Sequence, residues 1–215
     1  MNLNEQMQTL KFGSKGEDVK TLQSYLNLYA DGIFGKLTEE SIKQFQKDNG
    51  LTPDGIVGTK TWSKLEEIFG KTLKKSTRVI NEIILHCSAT PEGKDYDIAT
   101  IRKWHLERGF SDIGYHYVIY RDGSINNGRD VNISGAHCTN HNSKSIGICY
   151  IGGCAADGKT AKDTRTDAQK ASLVSLVKQL MSMYKLTSSN VHCHNEYANK
   201  ACPSFKITDF RKELV

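Results

Sequence analysis

The chain has little proline, 3 residues in 215 against 18 glycines, and no apolar run approaches the ~20 residues needed to cross a bilayer. No membrane span is expected. The opening stretch, Met1 to Gly13, lacks a basic segment followed by an apolar one, so no secretory leader is legible and synthesis in the cytoplasm is the expectation. Three short catalytic signatures are also missing. No H-E-x-x-H, C-x-x-C or G-x-S-x-G occurs, which removes the usual forms of helical metalloprotease, thioredoxin-like and α/β-hydrolase chemistry. The last absence is positional: no histidine precedes His86 and no cysteine precedes Cys87. Chemistry on imidazole or sulfur is confined to the C-terminal part.

The composition is that of a folded globular chain, 38% hydrophobic and 25% charged, long enough for one or two cores. Lys+Arg number 29 against 24 Asp+Glu, a net charge of +5. Such a surface favours polyanions such as nucleic acid, anionic lipid or acidic wall polymer, and charge does not choose among them. No basic-aromatic ladder or motif supports a nucleic-acid partner, and none is expected.

Asp31-Gly32-Ile33-Phe34-Gly35-Lys36-Leu37-Thr38 recurs as Asp54-Gly55-Ile56-Val57-Gly58-Thr59-Lys60-Thr61. Each copy ends in a Thr, read as an N-cap, followed by apolar residues at helical spacing: Ile42 and Phe45 in one, Trp62, Leu65 and Phe69 in the other. An earlier helix is predicted over about Gly16 to Tyr29, with Val19, Leu22 and Leu26 on one stripe. Three short helices joined by D-G-I-x-G turns resemble the peptidoglycan-binding domain found at the ends of bacterial and phage wall hydrolases. The likeness spans about residues 10 to 70. Gly70 to Thr77 is nearly devoid of apolar residues and reads as a linker, dividing the chain into 1–72 and 73–215.

Beyond the linker the pattern changes. Val79 to Cys87 is β-branched and almost continuously apolar, as a doubly covered strand would be. A helix is predicted over Asp97 to Arg108, ending at Gly109, then a strand over Tyr115 to Tyr120 that turns at Asp122-Gly123. Ser145 to Ile151 reads as another buried strand. Thr166 and Gln169 make a capping box for a long helix carrying Leu173, Leu176, Val177 and Leu180 inward. A short strand, a polar loop and a last helix complete an α/β fold, a central mixed sheet flanked by helices.

Candidate ligand types sit at strand ends and in loops. His86 closes a strand, His192-Cys193-His194 follows a short extended stretch, and Cys202 lies in the loop beyond. In extended chain His192 and His194 share a face, as do Lys200 and Cys202. Two imidazoles and a thiolate would form a tetrahedral zinc site with one open position, the arrangement of catalytic zinc. His137 and His141, flanking Cys138, offer a weaker second cluster. His105 and His116 read as core residues or as supports behind a ligand, and the remaining thiols as reduced packing groups.

The ordered segments His86-Cys87-Ser88-Ala89-Thr90, Ile101-Arg102-Lys103-Trp104-His105, Gly114-Tyr115-His116-Tyr117, Arg121-Asp122-Gly123, His141-Asn142, Ser145-Ile146-Gly147-Ile148-Cys149 and Lys200-Ala201-Cys202-Pro203-Ser204-Phe205 look like the zinc-dependent N-acetylmuramoyl-L-alanine amidases of the phage T7 lysozyme type, relatives of the peptidoglycan recognition proteins. The resemblance runs from about Arg78 to the C-terminus. It implies Zn2+ held by His86, His194 and Cys202, catalytic side chains Tyr115 and Lys200, and His137 in the substrate cleft. His192 is then left as a residue that supports a ligand or packs beside it, because counting back from Glu196 favours His194. The implied activity is hydrolysis of the amide joining N-acetylmuramic acid to L-alanine in peptidoglycan, by a monomer acting on the cell wall after release. Two alternatives stand beside it. One is a recognition protein that has kept the fold and lost the chemistry, for which a replaced cysteine ligand is the usual mark. The other is a Cys-His hydrolase using Cys202, disfavoured by the extended conformation that Pro203 imposes.

Overall fold

Two buried glutamines organise the first part of the chain, and both do the same thing. Gln23 Nε2 donates to Asp31 Oδ1 (2.8 Å), the Ile33 carbonyl (3.0 Å) and Thr38 Oγ1 (3.3 Å), while its Oε1 accepts the Gly32 N–H (2.9 Å). Gln46 repeats this with Asp54 (2.9 Å), Ile56 (2.9 Å), Thr61 (3.2 Å) and Gly55 (2.9 Å). Every partner in the second copy follows its counterpart by one constant offset, so the duplicated turn is also a duplicated polar core. Gly32 and Gly55 supply the positive φ, +77° and +75°, that the turns need.

The structure is a computed structural model; it describes residues 8–26, 28, 30–66 and 73–214. The chain divides into two compact units, Met1–Leu73 and Lys74–Val215. The first unit contains helices α1 (Glu17–Tyr25), α2 (Lys36–Asp48) and α3 (Thr59–Leu65). Leu10, Val19, Leu22, Phe34, Ile42, Val57, Trp62 and Leu65 form its core, each large side chain contributing roughly 1.5–3 kcal/mol by leaving water. Thr38 and Thr61 do not cap their helices as predicted. The caps are Gly35 and Gly58, and the helices begin before the threonines, because the threonine hydroxyls are taken by the glutamine clusters. Tyr29 and Phe69 lie outside the described residues, as does the first part of the predicted linker, Gly70 to Thr72.

The rest of that linker is docked through Ser76, which is buried, while Lys74, Lys75 and Thr77 remain exposed. Ser76 Oγ donates to the Val131 carbonyl (2.6 Å), its N–H to Tyr184 Oη (2.8 Å), and the Thr77 N–H to Asn132 Oδ1 (2.8 Å). Arg78 threads inward to the carbonyls of Val131, Asn142, Ser143 and Ser145.

In the second unit the strands are β1 (Glu82–Cys87), β2 (Thr90–Pro91), β3 (Tyr117–Ile119), β4 (Ile125–Asn127), β5 (Ser145–Tyr150), β6 (Gly153–Cys154) and β7 (Val191–Cys193). The helices are α4 (Ile98–Glu107), α5 (Asp167–Tyr184) and α6 (Ile207–Lys212). Five strands form a mixed sheet in the order β4-β3-β5-β1-β7, parallel except for the β3–β4 hairpin. The first strand starts later than predicted: Val79 is 75% exposed and pairing begins at Glu82. Asp97 caps α4 by accepting the Thr100 N–H, and Thr166 with Gln169 forms the capping box of α5. Strand alternation sends Val118 and Cys149 toward Ile101 of α4. On α5, Gln169 Nε2 donates to the Ile119 and Ile151 carbonyls (3.2 and 3.0 Å).

Candidate metal and catalytic site

In an open sheet of parallel strands, ligands gather at the carboxyl ends. β1 and β7 are parallel neighbours in which Leu85 faces Cys193, so the next residues, His86 and His194, stand at the same level. Their rings lie 4.5 Å apart, although β7 ends at Cys193 and His194 opens a 3-10 turn. His192 faces Ile84, further from the strand ends. Its ring meets Tyr197 (5.2 Å), and its Nδ1 lies 3.5 Å from Glu196 and 3.4 Å from Arg211. Sheet register thus separates two histidines that alternation had placed together.

The third member arrives from the loop after β7. The Asn195 N–H donates to the Cys202 carbonyl (2.9 Å), and the Cys87 N–H donates to Cys202 Sγ (3.2 Å). Tyr150 Oη donates to the Pro203 carbonyl (2.8 Å), Ser204 Oγ donates to the Gly153 carbonyl (2.8 Å), and the Arg165 guanidinium stacks on Phe205 at 3.7 Å. One donor atom each from His86, His194 and Cys202 lies within 4.8 Å of the others, and this is the one such cluster among the described residues. Burial, then the nearby His137, His194 and Lys200, hold the His86 pKa well below its ordinary value; burial and Lys200 lower that of His194. Both imidazoles are therefore neutral near pH 7, the form that binds metal.

Contact with the Cys87 thiol, then burial, pushes Cys202 up, while the same contact draws Cys87 down to about 7. The two sulfurs resist carrying two charges together. A cation held by these donors would reverse that preference at Cys202.

A cavity of about 170 Å³ opens beside these donors, its wall including Trp104, Tyr115, His194, Lys200 and Cys202. Tyr115 lies 5.2 Å, ring to ring, from His86. Burial, then the thiols of Cys149, Cys202 and Cys87, keep its phenol well above the ordinary range. A larger cavity of about 510 Å³, bounded by Asp95, Tyr96, Asp97 and Tyr120, holds neither imidazole nor thiol.

The other predicted residues distribute as follows. His137 does not line the cavity; it is 7% exposed, with Nδ1 3.0 Å from His86 Nε2. His141 turns away to Glu82 (2.9 Å) and stacks on Tyr197, so His137, Cys138 and His141 form no second cluster. His105 and His116 are core residues whose Nδ1 atoms accept the Gly114 and Gly147 N–H groups (2.8 and 2.9 Å). All six cysteines are free thiols. Gly153 to Thr160 has the G-x-x-x-x-G-K-T spacing of a phosphate-binding loop. It forms a tight turn instead, with Asp157 accepting the Lys159 and Thr160 N–H groups (both 2.9 Å), and no helix follows directly.

An α/β sheet with a His, His, Cys cluster and a cleft at the ends of its parallel strands defines a hydrolase scaffold able to hold one metal ion. The N-acetylmuramoyl-L-alanine amidase family matches residues 76–205, and the peptidoglycan binding domain family matches residues 15–65. The chain is 40% identical over 143 residues to the endolysin of Escherichia phage T7, covering 66% of this chain and 93% of that one. It is 41% identical over 137 residues to the endolysin of Klebsiella phage KP32, covering 63% and 89%. Among solved structures, an N-acetylmuramoyl-L-alanine amidase of Clostridium intestinale superposes with a TM-score of 0.55 at 28% identity, over 64% of this chain and 86% of that one. The chain belongs to the N-acetylmuramoyl-L-alanine amidase family, and its reaction is hydrolysis of the peptidoglycan amide between N-acetylmuramic acid and L-alanine. No helix among the described residues is long and apolar enough to cross a membrane.

Proposed function

We propose that this amidase works with Zn2+ held by His86, His194 and Cys202, with Tyr115 and Lys200 as its catalytic residues. The observation that carries the reading is the convergence of two neutral imidazoles and one thiol beside a cavity. Three protein donors of nitrogen and sulfur type fit zinc, and a set of three leaves a position for substrate or water. Bound there, zinc would supply Lewis acidity to the scissile carbonyl and to the attacking water.

The chain's own groups have separate tasks. Tyr115 keeps its phenolic proton at neutral pH, so its hydroxyl can donate to the departing amine nitrogen. Lys200 sets a positive charge on the same wall and offsets the charge that grows on the carbonyl oxygen during attack. Ile101 and Trp104 give the cavity an apolar side, which excludes water and strengthens both interactions.

Residues 1–72 serve as a wall-binding module and 73–215 as the catalytic part. Tethering raises the local concentration of the catalytic part at an insoluble polymer. All five proposed site residues come from one chain, so a monomer suffices, acting on the wall after release from the cell that made it. The test is release of new L-alanine amino termini from purified wall by the full chain. Zinc-loaded protein should release them, a chelator should stop release and added zinc restore it. Activity untouched by exhaustive chelation would overturn the metal assignment.

A further inference from the structure

His137 stands outside the cavity wall, yet the fold makes room for it with unusual care. Its ring occupies a slot beside Gly135 and Gly147, where a Cβ at either position would collide with the imidazole. Both of its nitrogens are engaged. Nδ1 meets His86 Nε2 at 3.0 Å, and Nε2 meets Ser145 Oγ, a buried hydroxyl, at 3.2 Å.

We propose that His137 is a positioning residue for the first metal ligand: it accepts the Nε2–H of His86, donates its own Nε2–H to Ser145, and so holds His86 with Nδ1 bare toward Cys202. The direction follows from counting hydrogens. A neutral imidazole carries one N–H, so the two facing nitrogens share one hydrogen. If His137 were the donor, the hydrogen of His86 would sit on Nδ1, which lies 3.8 Å from Cys202 Sγ, and it would block the donor atom. With His86 as donor, the single hydrogen of His137 falls on Nε2, where Ser145 can accept it. One direction of donation leaves the ligand atom open and satisfies both rings. A ring packed only to fill space would need neither nitrogen aligned. The inference rests on the zinc reading for the identity of the ion.

The experiment is zinc affinity of the full chain, by competition with a chromophoric chelator, in the wild type, H137F and H137Q. Phenylalanine keeps a ring and removes the acceptor; glutamine restores an acceptor oxygen and a donor amide. H137F should bind zinc roughly 10–100-fold more weakly, and H137Q should recover to within about threefold of the wild type. Unchanged affinity in H137F, or H137Q no better than H137F, overturns the proposal. Nitrogen-15 NMR of the metal-free wild type decides the same point without a variant: Nε2–H on both rings is expected, and Nδ1–H on His137 overturns it. A wild type that binds no zinc removes the zinc reading, and the tautomer result still judges His137.

Discussion

The main-chain N–H of Cys87 points at the sulfur of Cys202, 3.2 Å away across 115 residues of sequence. A peptide N–H favours negative charge on the sulfur it faces. The bond comes from the backbone, so the Cys87 side chain is dispensable to it while the Cys202 side chain is not. Cys202→Ser should abolish stoichiometric zinc, read by elemental analysis, and lower wall hydrolysis at least ~100-fold. Cys87→Ser should keep zinc and most of the activity, since serine is smaller and Gly153 leaves the site crowded for anything larger. Equal loss in both variants would contradict the backbone assignment.

Lys200 and Tyr115 share a cavity wall with the donors and are not among them. Lys200→Met and Tyr115→Phe should therefore retain zinc while turnover on wall falls by roughly 10²–10³-fold. Zinc content and rate measured on the same samples separate this from metal loss.

The paired glutamines predict paired costs. Gln23→Ala leaves the Gly32 N–H without its acceptor, and Gln46→Ala does the same to Gly55. Each should destabilise the first unit by about 1–3 kcal/mol in chemical denaturation. Hydrolysis of a small soluble muramoyl-alanine amide should be unaffected by either. A large cost for one and none for the other would break the equivalence.

Burial lowers the His116 pKa to about 4, and the side chain is fully enclosed. The unfolded chain takes up this proton near pH 6.5 and the folded chain only near 4. Stability from this group is therefore complete above about 6.5 and falls as the pH drops toward 4, by up to about 3 kcal/mol at ~1.4 per unit. Metal-free protein should melt progressively lower across that window, and His116→Gln should flatten the slope. A slope identical in His116→Gln would assign the acid sensitivity elsewhere.

The signals that were legible in sequence are local ones. Thr166 with Gln169 and the Asp122-Gly123 turn each satisfy their own backbone within three residues, so the signal needs no distant contact. The apolar stripe of Leu173, Leu176, Val177 and Leu180 is equally self-contained. Where a residue's partner lies far along the chain, local reading fails. Thr38 and Thr61 look like caps until Gln23 and Gln46 claim their hydroxyls, and repeating the glutamines at the offset of the turns was the one available clue. Ser76 looks like linker until Val131 and Tyr184 receive it.

By itself, then, the sequence determined the main helices, the longer strands, the duplicated turns and, through ordered motifs, the family, because these depend on neighbours or on pattern. The two-residue strands β2 and β6, which make a sheet of their own, gave no such pattern. The ordered motifs already favoured His194 over His192; tertiary structure supplied the physical reason, the pairing of Leu85 with Cys193 between parallel strands that sets His194 level with His86. It also decided that His137 lies behind His86 and away from the cleft wall, since only packed strands and loops bring Gly147 and His86 beside its ring. Spacing along a chain constrains which residues are available; the register between strands distant in sequence selects which of them meet.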